Sequence, residues 1–119
     1  MSTISVNYIN GLGEAALRSV SGVAAAWVNF YGVGTPSIRN SANVSSLTDT
    51  ATGKFSVNLT NSMSAVDYSA VSEDTYSGIA MIDENYLTTS LYGVKHYVYN
   101  FSSLADPNHS FSNIHGDLA

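Results

Sequence analysis

Three histidines, nine carboxylates and a large supply of serine are the residues of this chain that could move protons, hold a metal or attack a carbonyl; there is no cysteine. His96, His109 and His115 would bind an ion if copies of one of them met around a threefold axis. No two of them stand one residue apart on a strand, and His96 alternates with Val94 and Val98. A structural or solvated role is therefore expected for all three, and no metal ligand is assigned. Asp83 and Glu84 are adjacent on an expected turn and would point apart, unlike carboxylates paired across a cleft. Asp49, Asp67, Asp74, Asp106 and Asp117 fall in turn-like surroundings, where Asp accepts backbone hydrogen bonds. No strand-turn-helix elbow frames a serine and no glycine-rich loop opens a helix. The expectation is a protein with no catalytic residues and no cofactor.

Recognition chemistry is better represented. Trp27, Phe30, Tyr97, Tyr99 and Phe101 fit anchors of a core or of an interface between subunits, and Trp27 and the tyrosines would also serve as a stacking platform for sugar rings. Trp27 stands mid-strand, which favours core or interface. Tyr76 and Tyr86 adjoin turns, where binding residues concentrate on a rigid scaffold. The preferred ligand-facing residues are accordingly Tyr76 and the turn Asp83, Glu84, Asn85 and Tyr86. The sequons at Asn43, Asn58 and Asn100 are expected by chance in so Asn- and Ser-rich a chain.

The elements that must position these residues are strands. At 119 residues the chain suits one domain with one core. Ser, Thr and Asn make up about a third of it, only 11% is charged, and Tyr, Phe, Val and Ile supply the apolar half of an alternating pattern. A net charge of −5 offers no basic field for nucleic acid or an anionic membrane. No apolar run is long enough for a spanning helix, and no signal for secretion is visible, so membrane insertion is not expected.

Along the chain, residues 1–24 read as an arm. Ile4, Val6 and Tyr8 alternate with polar neighbours, a turn carries Leu12, and residues 14–19 could make one or two helical turns. The arm pairs either with its own domain or, through an exposed edge, with another subunit or a larger particle. Residues 25–31 begin the dense strands and stop at Gly32, Gly34 and Pro36. Residues 38–46 give a second strand, a polar turn spans 49–54, and Phe55, Val57 and Leu59 alternate with Ser56, Asn58 and Thr60 in the clearest strand of all. Strands over 67–72 and 77–83 follow, then a long run over 88–101. That run sets Leu91, Lys95, Tyr97, Tyr99 and Phe101 on one face and Tyr92, Val94, His96 and Val98 on the other, as in a central strand or one covered by a neighbouring subunit. A last strand lies over 109–115. The pattern predicts an all-β antiparallel sandwich of about seven to eight short strands over residues 25–119.

Read together, Ala26-Trp27-Val28-Asn29-Phe30, Ile38-Arg39, Asn43-Val44-Ser45-Ser46-Leu47-Thr48-Asp49, Thr52-Gly53-Lys54-Phe55-Ser56-Val57-Asn58-Leu59-Thr60 and Ala105-Asp106-Pro107 resemble, in order and spacing, a β module at the C-terminus of phage tail fibre proteins. The similarity covers about residues 25–116 and is absent over 72–100. The start, Met1-Ser2-Thr3-Ile4-Ser5-Val6-Asn7, is similar to that of short tail-associated proteins of cyanobacterial phages. The resemblance implies a virion protein made in the host cytoplasm that binds rather than catalyses, usually as a homotrimer. Its partners would be its own copies, other tail or baseplate proteins, and a host surface glycan or outer-membrane protein. A fibre's long shaft does not precede Trp27 here, so the expectation is a short, particle-docked module; the alternative is a collar, head-decoration or tail-junction protein anchored through its arm.

Overall fold

The computed structural model describes residues 3–6, 8, 9, 18, 19, 23–75 and 78–119. It is an all-β sandwich with eight strands in two four-stranded antiparallel sheets, and a separate two-stranded pair in the arm. The arm pair is β1 (Tyr8–Ile9) and β2 (Arg18–Ser19), which pair with each other. Arg18 and Ser19 are thus in a strand, which corrects the helical expectation for the end of 14–19; Leu12 lies outside the described residues.

The sandwich strands are β3 (Ala24–Tyr31), β4 (Ser37–Ala42), β5 (Val44–Ala51), β6 (Lys54–Leu59), β7 (Ser69–Asp74), β8 (Gly78–Asp83), β9 (Leu91–Val98) and β10 (Ser110–His115). One sheet has the order β4-β3-β10-β7, the other β5-β6-β9-β8. The expected single strand over 38–46 is instead two strands in different sheets. Asn43 breaks it with a φ of 56°, a left-handed conformation that asparagine tolerates better than most residues. Its amide fixes the crossing: Nδ2 donates to the carbonyls of Ala25 and Asn61, and Oδ1 accepts from the Asn61 N–H. The run over 88–101 is shorter than its composition suggests. Thr88 Oγ1 accepts from the N–H groups of Ser90 and Leu91, holding a turn before β9, and residues 99–103 turn after it.

Alternation decides what is buried. Ala26, Val28 and Phe30 from β3, Phe55 and Val57 from β6, Tyr92 and Val94 from β9 and Ile114 from β10 form the core between the sheets. Phe30 and Phe55 meet edge-on, with ring centroids 5.2 Å apart. As expected, β9 is an interior strand, flanked by β6 and β8. Two polar bridges cross the core. The hydroxyls of Tyr92 and Ser112 share a 2.8 Å hydrogen bond, and burial raises the tyrosine pKa to about 12. The second bridge is centred on His96.

Candidate functional site

The strands place two ends on the sandwich. The chain enters β3 at Ala24, opposite His115, and the turns at 43 and 60–68 lie at that same end. The other end gathers the turn at Gly53, the end of β7 and the start of β8, and residues 99–109. There Gly53, at φ +69°, donates its N–H to Asp106 Oδ1 at 2.7 Å, and Gly32 donates to the Pro107 carbonyl at 2.9 Å. A Cβ at Gly53 would lie 2.8 Å from both Ala105 N and His96 O. Gly32, Gly53, Asp106 and Pro107, far apart in sequence, are thus packed into one seam beneath the distal end.

That end presents aromatic rings. The turn after β9 is closed by hydrogen bonds from Phe101 N–H to the Val98 carbonyl (2.8 Å), from Val98 N–H to the Ser103 carbonyl (3.0 Å) and from Ser102 N–H to Asn100 Oδ1 (3.0 Å). Tyr99 is 80% exposed and Phe101 57% exposed at its apex. Tyr97 is half-buried and holds Phe101 at a ring distance of 5.6 Å. Phe101 has a φ of 58°. A bulky residue in the left-handed region costs about 1–2 kcal/mol, so this ring is displayed at the expense of folding energy. Gly78 makes room for the turn, since a Cβ there would press within 3.2–3.3 Å of Tyr99. Exposure removes Tyr99 and Phe101 from the core half of their expected role and leaves the contact or interface half.

Directly beneath, Asp74, His96 and Ser110 form a chain of hydrogen bonds. Asp74 Oδ2 lies 3.1 Å from His96 Nδ1, and His96 Nε2 lies 3.3 Å from Ser110 Oγ. These are the residue types of a nucleophilic triad. All three side chains are sealed, with His96 and Ser110 at 0% exposure, and the rings of Phe30 and Phe55 are 6.2 and 6.0 Å from the imidazole. No substrate reaches the hydroxyl in this arrangement, which instead fastens β9 to β7 and β10 across the core. Burial lowers the His96 pKa, opposed by its hydrogen bond to Asp74 and by the charges of Asp74 and Asp106. The imidazole is therefore neutral near pH 7. Asp74 Oδ1 also accepts from Gly78 N–H at 2.9 Å, so one carboxylate ties the start of β8 to the end of β7. The sequence leaves His96 a structural or a solvated role, and its burial leaves the structural one; Asp74 reads in sequence as one more turn residue, and nothing short of the fold pairs it with His96.

Of the turn expected to face a ligand, Asp83 departs from that expectation. Asp83 is 2% exposed, which removes it from the contact set. It caps a 3₁₀ turn, Glu84–Tyr86, accepting from Asn85 N–H, and lies 4.0 and 3.9 Å from the ammonium groups of Lys54 and Lys95. Those lysines are cross-strand neighbours on β6 and β9, and the carboxylate between them offsets their repulsion. The turn folds over Gly93, where a Cβ would come within 2.7 Å of Tyr86 Cβ. Glu84 and Asn85 are exposed and Tyr86 is 39% exposed, but on the side of the sheet and away from the distal tip. Tyr76 lies outside the described residues. Phe30 is in the core, whereas Trp27 is 37% exposed on the outer face of its sheet. In the arm, Ile4, Val6 and Tyr8 are 86%, 49% and 59% exposed.

Among the described residues no group of three or more His, Asp or Glu is placed to hold a metal ion, and no helix is long and apolar enough to cross a membrane. No protein-family model matches the chain, and no match is found among curated proteins or solved structures.

Proposed function

We propose that this chain is a non-catalytic adhesion module of the phage tail-fibre kind, carried on the virion in several copies, that meets a host surface glycan or outer-membrane protein through its distal aromatic tip. The observation that carries the reading is the turn after β9. Two exposed rings, Tyr99 and Phe101, stand on a hydrogen-bonded turn, one of them in a strained backbone conformation. Within the protomer the strained Phe101 packs against Tyr97 and is otherwise largely exposed, and such strain concentrates at binding sites. The tip lies at the end opposite the entry of the chain into β3, so a sandwich attached through its N-terminal segment holds the rings outward. Each site is shallow, and several copies on one particle would raise the effective concentration of the others. The homotrimer implied by the resemblance is one such arrangement.

The test is binding of the fluorescent full-length protein to host cells, with Tyr99→Ala and Phe101→Gly beside the parent. Loss of cell binding in variants that melt like the parent supports the tip; unchanged binding by both overturns it.

A second reading rests on the arm. Ile4, Val6 and Tyr8 are exposed apolar side chains at and before the β1–β2 pair, which suits docking onto another virion protein and a structural role as collar, head-decoration or tail-junction protein. Removal of residues 1–22 separates the two. Particles that lose the protein while the truncated chain still binds cells favour the adhesin, and particles that lose integrity favour the structural role.

A further inference from the structure

The geometry points to the outer face of the β4-β3-β10-β7 sheet as a self-association surface, on which a second copy of this chain packs face to face about a twofold axis parallel to the strands. This face is distinct from the tip, and Tyr99 and Phe101 take no part in it.

Register fixes what the face displays. One row across the four strands runs Ala42, Trp27, Asn113, Val71; the next runs Asn40, Asn29, Phe111, Glu73. Trp27, Phe111 and Val71 are 37%, 38% and 56% exposed. A shallow groove of about 310 Å³ runs along β7 and β10, lined by Val71, Glu73, Phe111 and Asn113 among others. Aromatic rings with few charges are the composition of an interface core. The other sheet is different: its outer face carries Lys54 and Lys95 and is covered in part by the Glu84–Tyr86 turn.

Charge selects the occupant. The chain has a net charge of −5, so two copies repel over most orientations. Among the described strand residues of this face, Arg39 is the one cation and Glu73 the one carboxylate, so the face itself is neutral. They stand on opposite edge strands. Arg39 occupies the bulge on β4 next to the row of Asn40 and Asn29, its guanidinium 5.5 Å from the centre of the Tyr31 ring, and Glu73 ends that row on β7. A twofold axis parallel to the strands, between β3 and β10, lays β4 of one copy over β7 of the other. It brings each Arg39 to within about one residue step, ~3.3 Å, of the level of the partner copy's carboxylate. The same operation sets Trp27 over the partner copy's β10. The face is thus complementary to itself in charge, as an isologous interface requires.

The experiment is light scattering on the full chain across a concentration series, for the parent and for Arg39→Glu, Glu73→Arg, the double variant Arg39→Glu/Glu73→Arg and Trp27→Ala. The expected result is a dimer weakened at least about tenfold by either single reversal, restored by the double reversal, and lost with Trp27→Ala. Recovery in the double variant also shows that the single variants are folded. A monomer at every concentration overturns the proposal, as does a trimer, or a dimer indifferent to both charge reversals. A monomer whose Trp27 fluorescence responds to host polysaccharide overturns it in favour of a glycan on this face. None of these outcomes bears on the tip, which the cell-binding assay reads separately.

Discussion

Two turns, one just after β8 and one just after β9, differ in nearly every physical respect. The first, Glu84–Tyr86, begins from a buried Asp83, lies against Gly93 and fills the side of its sheet. The second carries Tyr99 and Phe101 into solvent on a backbone in which Phe101 has a positive φ. The first turn has its charged group neutralised and its backbone capped, the signature of a segment that contributes stability. The second spends stability to hold rings that touch little of their own protomer. Polarity alone therefore misplaces Asp83, which is buried, while the rings of the aromatic turn stand in solvent.

The comparison is broken most severely from below. Asp74→Ala removes the carboxylate that orients His96 and accepts from Gly78, leaving a buried imidazole nitrogen without its partner. The expected loss is about 2–4 kcal/mol of unfolding free energy by urea titration. A loss of less than about 0.5 kcal/mol would mean that the Asp74–His96–Ser110 bridge does not fasten the sheets. The bridge also sets a pH dependence. The folded pKa of His96 lies below its unfolded value near 6.5, so the unfolded chain takes up the proton first. The stability attributable to neutral His96 is complete above about pH 6.5 and is lost as pH falls from there towards the lower folded pKa. Melting temperature should drop between pH 7.5 and 5, and less so in His96→Phe.

Those residues also mark how far sequence reaches. The strands whose alternation is regular, Phe55 to Leu59 above all, are legible because one face must be buried and a slip of one residue would reverse it. The place of His96 on the inner face follows from Val94 and Val98 in the same way. The break at Asn43 is not legible, because no Gly or Pro announces it and the conformation is held by carbonyls distant in sequence. Asp83 is misread for a related reason: its partners Lys54 and Lys95 come from two other strands, so a carboxylate that looks solvated is neutralised in place. Tyr99 and Phe101 continue the apolar alternation of β9, and only the turn at Val98 carries them past the edge of the sheet.

A smaller effect is expected at the first turn. Gly93→Ala puts a methyl group 2.7 Å from Tyr86 Cβ and 3.1 Å from Asp83 Cβ, with Asp83 O at 3.2 Å. The turn must lift, and overpacking of this kind costs about 1–3 kcal/mol. Host-cell binding should be unaffected in the folded fraction, because the turn is away from the tip. Reduced binding at parental stability would return the Glu84–Tyr86 turn to the ligand-facing role.

The smallest change in stability, and the sharpest contrast, is at Phe101. Glycine adopts a φ of 58° without the steric cost borne by phenylalanine, while its greater freedom in the unfolded chain offsets part of the gain. Phe101→Gly should therefore leave stability unchanged or raise it by up to about 1 kcal/mol, and Tyr99→Ala should stay within about 0.5 kcal/mol of the parent. Both should weaken cell binding. On the proposed reading, contact with another molecule is what keeps a ring at a strained, exposed position against its own folding energy. If Phe101→Gly instead destabilises the fold by more than about 1 kcal/mol, the contact with Tyr97 outweighs the strain and the turn after β9 belongs to the same structural class as the turn before it.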